Sequence, residues 1–470
     1  MSAVSFRRST RRVTRFAAPA ALGLATALFA AGCGASSTPS SSSTPGSSSG
    51  SSSGSTSDPG KTVDVVLWES HKATSPAGKA EQAIVNMFNA SQHGVHVKLL
   101  ITSGSTNGLA AAQAGHPPIL AEVSHYDGAF RNGGLIVDQT PLMDGAGGFT
   151  RGQLASFYPG VLENGRIPQA IGANGQPVPG KQYRFPNGTK VEELFYDTAM
   201  FKQAGIASCP ATWSALGRDL VKLKALGVTP MGFKDASAHI ESVFVADGGS
   251  LYKPGSHLKQ TMYDSKAGIA EFTMFRQWYQ QKLFVFSHGA NMRAAIANKK
   301  LAIEDGTSAG WVKVRDEAKA AGVQVSACPY PNGISGHEGN IIQGLGFVIF
   351  THHTAAQQKA AFEFVKFWNT PKVQAYWAQA SGFAPNVKSA VADIPASYLD
   401  SNAGAGLEVS IGILDSPYAR PRGQSDAYAE VDQAVDAAFF DAATTTKPIG
   451  QILAKLDRTD AGYLKGSTKI

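Results

Sequence analysis

Cysteine is scarce in this sequence: three residues in 470, at positions 33, 209 and 328. None sits in a short Cys/His spacing, so the pattern of a zinc site is missing. H-E-x-x-H and the phosphate-binding loop are missing as well, and neither a metal nor a cofactor is expected. Positive charge is concentrated rather than spread. The formal charge is +7, but Arg7, Arg8, Arg11, Arg12 and Arg15 precede every acidic residue, and subtracting those five leaves +2. With no basic run downstream, nucleic acid is not an expected partner. Long apolar runs are also lacking, since the stretch from Phe16 to Ala31 is short for a permanent membrane span.

What that stretch does have is the anatomy of an export signal: an arginine cluster, an apolar segment, then small residues before Cys33. Phe29-Ala30-Ala31-Gly32-Cys33 resembles the bacterial lipobox, with Ala30 in place of the usual leucine. The resemblance implies cleavage before Cys33 and attachment of membrane lipid to its sulfur, with an uncleaved anchor as the alternative. Arg11-Arg12 is compatible with twin-arginine export as well as with the general route. Residues 1–32 are therefore read as a signal peptide, and 33–60 as a lipidated tether. From Gly34 to Gly60 the chain is almost all Ser, Gly, Thr and Pro, with too little apolar surface to offset ordering entropy. Such a segment reaches roughly 30 Å. Cys209 and Cys328 are then the remaining thiols, to be paired in an oxidising compartment or buried free.

From Lys61 onward short apolar runs alternate with amphipathic segments. Val63–Trp68, Val95–Ile101 and Ile119–Val123 read as strands, and Gly78–Ala90 as a helix with Ala80, Ile84, Val85, Met87 and Phe88 inward. The grammar then repeats. Glu193–Tyr196, Leu301–Ile303, Val323–Ser326 and Gly346–Phe350 read as strands. Thr212 caps a helix that Gly227 ends, and Ile269, Phe272, Phe275 and Trp278 mark a core-facing helix between Ser265 and Leu283. Thr370-Pro371 opens another helix, and 426–438 and 449–456 are helical. Strands separated by helices point to an α/β body with parallel sheets, long enough for two lobes.

Six short motifs then occur in a telling order. They are Val66-Leu67-Trp68-Glu69-Ser70-His71 before a helix ending Met87-Phe88-Asn89-Ala90; Gly115-His116-Pro117-Pro118-Ile119-Leu120; and Asn132-Gly133-Gly134-Leu135-Ile136-Val137-Asp138-Gln139-Thr140-Pro141. Next come Leu194-Phe195-Tyr196-Asp197 with Phe201-Lys202-Gln203-Ala204-Gly205-Ile206, Pro210-Ala211-Thr212-Trp213, and Ser381-Gly382-Phe383-Ala384-Pro385. Together they resemble the extracellular solute-binding proteins that serve maltose, other sugar and glycerol-3-phosphate importers. The resemblance implies a two-lobed α/β periplasmic-binding-protein-like fold of type II, with crossings near Phe185–Thr189, Gly344–Phe347 and Phe383. The N-terminal lobe would comprise 61–186 and 347–382, and the C-terminal lobe 187–346 and 383–470. It further implies a monomeric, non-enzymatic receptor, lipid-anchored at the extracytoplasmic face of the cell membrane, that passes a small polar solute to ABC permease subunits.

A sugar-like ligand needs aromatic faces and a few fixed polar groups on loops at strand ends. Ser70 and His71 follow the first strand, where the family places contacts; a solvated loop is the competing reading. His125 and Tyr126 follow the third strand. Glu192 lies near the first crossing, with Thr189 as its substitute if the alignment slips. Trp311 stands where maltose-type binders stack a tryptophan on sugar, with plain core packing as the alternative. Gly344 would let backbone approach the ligand, and Phe383 replaces a family tyrosine. Arg420 and Arg422 resemble the place where glycerol-phosphate receptors keep an arginine, and guanidinium suits phosphate or carboxylate.

One enzymatic alternative competes. Gly306-Thr307-Ser308-Ala309-Gly310 matches the G-x-S-x-G nucleophile elbow, which would make Ser308 the nucleophile of a secreted hydrolase, with Asp316 and His337 or His352 to complete it. The Ser-rich segment matches the same expression twice, at Gly46–Gly50 and Gly50–Gly54. Adjacent Glu192 and Glu193 cannot flank a glycosidic bond as a glycosidase pair must.

Overall fold

The computed structural model describes residues 62–466 apart from 125–127, 168–169, 172–176, 179, 234–235, 247–250, 257, 288, 334–338, 423–424 and 426. The export signal, Cys33 and the Ser/Gly segment lie outside the described residues. Two large sheets organise the chain, and their strands are numbered here in chain order. The first is built from β1 (Val63–Glu69), β2 (Val95–Ile101), β3 (Leu120–Val123), β4 (Phe185–Lys190), β10 (Asn340–Ile349) and β11 (Ala419–Pro421). Its order is β11-β10-β3-β1-β2, with β4 also on β10. The second contains β5 (Glu192–Asp197), β6 (Thr229–Phe233), β7 (Phe284–Phe286), β8 (Leu301–Thr307) and β9 (Val325–Pro329), ordered β7-β6-β8-β5-β9.

Burial explains the composition of each strand. β1 runs parallel to both β2 and β3, and its Val65, Leu67 and Glu69 are buried in alternation. All four residues of β3 are buried because it lies between β1 and β10, as expected for a strand covered on both faces. Helix α1 (Pro76–Ser91) starts at Ser75, whose hydroxyl accepts from the Gly78 amide at 3.1 Å, with Pro76 in its first turn. Its inner face carries Ala77, Ala80, Glu81, Ile84, Val85 and Phe88. Met87, expected inward, is exposed.

The second sheet is covered by α2 (Trp213–Ala225), α3 (Lys266–Gln280) and α7 (Tyr428–Thr444), with α8 (Ile449–Gly466) packed on α3 and α7. Trp213, Phe233, Phe275, Trp278, Phe284 and Phe439 form an edge-to-face cluster at its centre, a geometry that adds to their area burial. Ile269 lies off the buried stripe of Gly268, Glu271, Phe272, Phe275 and Trp278 and faces outward, contrary to expectation. Cys209 and Cys328 are joined by a disulfide, with Cα atoms 5.6 Å apart and a sequence separation of 119.

Between the sheets the chain crosses where three segments are hydrogen-bonded together. β4 pairs antiparallel with β10 from Gln343 to Phe347. The Ala384 amide donates to the Thr189 carbonyl at 2.8 Å, and the Thr189 hydroxyl donates to Asn386 Oδ1 at 2.6 Å. Asn386 Nδ2 in turn donates to the carbonyl of Pro186 and to Asn369. Helix α6 (Pro371–Ser381), which follows α5 (Ala355–Trp368), leads into this junction. Gly382 ends α6 in the left-handed region, at φ 86°, and a Cβ there would lie 2.9 Å from the Ser308 carbonyl, so both conformation and space demand glycine.

Candidate ligand cleft

The C-terminal ends of β1 and β3 reach the crossings side by side. Their register pairs Trp68 with Ala121, so the next residues, Glu69 and Glu122, are neighbours. The Ser70 hydroxyl donates to Glu122 Oε1 at 2.7 Å, and Asn187 Nδ2, from β4, donates to Glu122 Oε2 at 2.9 Å. His71 Nδ1 lies 2.5 Å from Glu81 Oε1 of α1 and 3.7 Å from Glu122 Oε2. The His71 ring meets Phe383 edge-on at 5.7 Å and Trp377 at 6.3 Å, and those two rings are themselves stacked. Ser70 is exposed, His71 is half-buried, and the carboxylates behind them are buried.

Burial raises the Glu69 carboxyl well above its ordinary range, and the charges of Glu122 and Glu81 push it further. Burial likewise lifts Glu81 to about 7, against the opposing pull of His71. For His71 burial acts downward, but Glu122 and Glu81 outweigh it and the imidazole is raised. One coordinating atom from each of Glu69, His71, Glu81 and Glu122 lies within 4.8 Å of all the others, a donor set able to hold a cation. Sequence reasoning missed the three glutamates. The available signal was a charged residue at an inward helical position, Glu81 between Gly78 and Ile84, and another inside the apolar strand Leu120–Val123.

A second polar group forms on the other side of the crossings. The Glu192 amide donates to Asn340 Oδ1, Asn340 Nδ2 donates back to the Glu192 carbonyl, and Gln343 Nε2 donates to the Glu192 carboxylate. Glu192 is thus buried and engaged within the protein. A cavity of about 440 Å³ opens beside it, lined by Tyr330, Asn340, Glu408, Ile413 and Ala419 among others. Arg420 lies next to it on β11, opposite Ile341, and is half-buried. Arg422 is buried; it pairs with Glu241 and with Asp432, the latter at 2.5 Å, and its guanidinium lies 4.7 Å from the Tyr428 ring centre.

The structure thus brings Ser70, His71 and Phe383 together and separates them from Glu192, Arg420 and Arg422. Three expectations change. Trp311 opens α4 (Trp311–Ala320) with 1% exposure, its indole N–H donates to the Ala403 carbonyl at 2.9 Å, and Phe195 and Gly406 cover its ring. It is a core residue with no face for stacking. Gly344 allows a close backbone approach, but to its own crossing: a Cβ there would lie 2.7 Å from the Gly188 carbonyl. Arg422 is committed to two carboxylates and is not an anion-binding arginine. His125 and Tyr126 lie outside the described residues.

Ser308 does not look out from an elbow either. It is 0% exposed, and its hydroxyl accepts from the Val191 amide at 3.3 Å inside the crossing region. Among the described residues no histidine is hydrogen-bonded to it, and Asp316 is paired with Arg315.

A family model described as "Bacterial extracellular solute-binding protein" matches residues 83–401. The chain belongs to that family. Curated relatives that match this solute-binding protein include putative binding proteins of Brucella abortus and Brucella suis, 36% identical over 63 residues; the match spans 13% of this chain and 15% of theirs. Among solved structures, the cyclic alpha-maltosyl-1,6-maltose binding protein of Arthrobacter globiformis superposes with a TM-score of 0.72 at 16% identity, covering 86% of this chain and all of that one. The GacH receptor of Streptomyces glaucescens gives 0.68 at 18%, covering 86% and 99%. UgpB of Mycobacterium tuberculosis, solved with glycerophosphocholine, gives 0.67 at 19%, with the same coverage. Likeness at these identities speaks to fold: the solute-binding protein has the two-lobed, type II periplasmic-binding architecture implied by its sequence motifs. The family and these structural neighbours are binding proteins rather than enzymes.

Proposed function

We propose that this chain is the receptor subunit of an ABC importer, holding a small polar solute between its two lobes and delivering it to a membrane permease. The observation that carries this reading is the junction itself: two separately cored sheets joined through bonded crossings, with exposed Ser70 and half-buried His71 beside Phe383 at the strand ends. Closure around cargo in such a fold is driven by the cargo's higher affinity for the closed form. Ser70 and His71 supply contacts from the end of β1, with His125 and Tyr126 after β3 as the further contacts of this lobe, while Phe383, at 4% exposure, backs the His71 ring rather than meeting the solute. Arg420 on β11 and the cavity beside Glu192 face the solute from the other side of the crossings. Sugars, oligosaccharides and glycerophosphodiesters are the cargo classes, in keeping with the ligands of the similar solved proteins. The protein acts as a monomer held at the extracytoplasmic face by lipid on Cys33.

A thermal-shift screen against sugars, polyols and phosphodiesters tests this. A ligand present at 100 times its Kd stabilises the folded form by about 2.7 kcal/mol, and Ser70→Ala, at an exposed position, weakens the hit without lowering the melting temperature of the free protein. A screen in which no compound of these classes shifts the transition refutes the cargo assignment. Labelling of Ser308 by a serine-reactive phosphonate would revive the hydrolase.

A further inference from the structure

Glu69 is 0% exposed, and no amide, hydroxyl, ammonium or guanidinium group donates to either of its carboxylate oxygens; the polar side chain it meets is another carboxyl, that of Glu122. Glu81 Oε2, also buried, has no donor either. Among the described residues no lysine or arginine lies within ion-pair distance of Glu69, Glu81 or Glu122; the nearest positive group to these carboxylates is His71. Burying three carboxylates against one imidazole is costly unless protonation or a bound cation offsets them. A Glu69 oxygen lies within 4.8 Å of a coordinating atom of each of the other three groups.

We propose that Glu69, His71, Glu81 and Glu122 bind one divalent cation of the zinc–manganese class at the corner where the first sheet meets the crossings. The donor set argues for that class. Three carboxylates with one imidazole suit a borderline ion, whereas calcium takes six to eight oxygens and soft ions prefer thiolates. The ligands come from the end of β1, the loop after it, α1 and β3, so the sheet register fixes them with respect to one another. Ser70 and Asn187 orient the Glu122 carboxylate from behind, as outer partners of metal ligands do. Phe383 and Trp377 cover the imidazole and limit water. The ion ties the strand ends to α1 beside the cargo cleft, independently of which cargo is carried.

Isothermal titration of the chelator-treated full chain with Zn²⁺, Mn²⁺ and Ca²⁺ separately, with no solute present, tests the site. One equivalent of Zn²⁺ or Mn²⁺ binds, and more tightly than Ca²⁺. Glu69→Gln, which keeps shape and relieves charge, weakens that binding by roughly 100-fold or more, and Ser70→Ala by about 10-fold, since even outer partners cost 10- to 100-fold. Absence of one-to-one binding by either ion overturns the proposal. So does binding that survives unchanged in both Glu69→Gln and Glu122→Gln. Stabilisation by amine solutes that Glu69→Gln abolishes, without metal binding, also overturns it and gives the cluster to a cationic group on the cargo. Because the titration omits cargo, its failure leaves the receptor reading untouched.

Discussion

Two corners of this molecule bury several carboxylates, and they solve the problem differently. In the second lobe Glu241 and Asp432 share the Arg422 guanidinium, which also lies over the Tyr428 ring. In the first lobe, among the described residues, the sole ion-pair partner of Glu81 and Glu122 is His71, and Glu69 has no positive group within ion-pair distance. A charge removed from water must be paired or neutralised. The second corner therefore reads as structure, complete in itself, and the first as a place awaiting a positive group.

The contrast can be broken at its stronger end first. Arg422→Met strands Glu241 and Asp432 without their cation and costs about 3–5 kcal/mol in urea unfolding; a loss below 1 kcal/mol means the corner does not depend on its arginine. Replacing Cys209 and Cys328 with alanine tests the other restraint confined to the second lobe. Chain-entropy arguments give a loss of about 2–4 kcal/mol, read as a lower melting temperature with the cleft's ligand affinity unchanged. At the first corner the sign reverses: in metal-free protein Glu69→Gln raises stability by about 1–2 kcal/mol at pH 8, because it removes an uncompensated buried carboxylate. A decrease there would mean that Glu69 has a partner after all.

The smallest effect sharpens the comparison with a third buried carboxylate. Burial and the charge of Asp457 raise Asp460 from 3.8 to about 7, against the Thr261 hydroxyl. Its folded form thus holds a proton that its unfolded form has released. The stability it contributes is fully present below about pH 4 and is lost as pH rises through 7. Asp460→Asn flattens that decline, by about 1 kcal/mol after local relaxation. An unchanged pH profile of unfolding would show that Asp460 titrates alike in both states.

The fold was largely legible because its signals are local. Val95–Ile101 occupies the expected bounds, and Thr212 caps α2 through its hydroxyl on the Ala215 amide. β10 was legible only in its apolar second half; Asn340 to Leu345 carries Gln and Gly where a strand pattern is sought, and it forms by pairing with β4 and β11. The site was harder to see. Trp311 matched a motif for ligand stacking, yet a large ring at a helix start is equally good filling for a core. Glu69, Glu81 and Glu122 were passed over because candidates were sought on loops, while these side chains stand on strands and an inner helical face. Only the pairing of β1 with β3 brings them together, and no spacing in the chain records it.

The Cys209–Cys328 bond fastens a loop to an edge strand of a single lobe and never spans the junction. Oxidation outside the cytoplasm can therefore toughen that half against heat and proteolysis while placing no restraint on the proposed closure of the lobes.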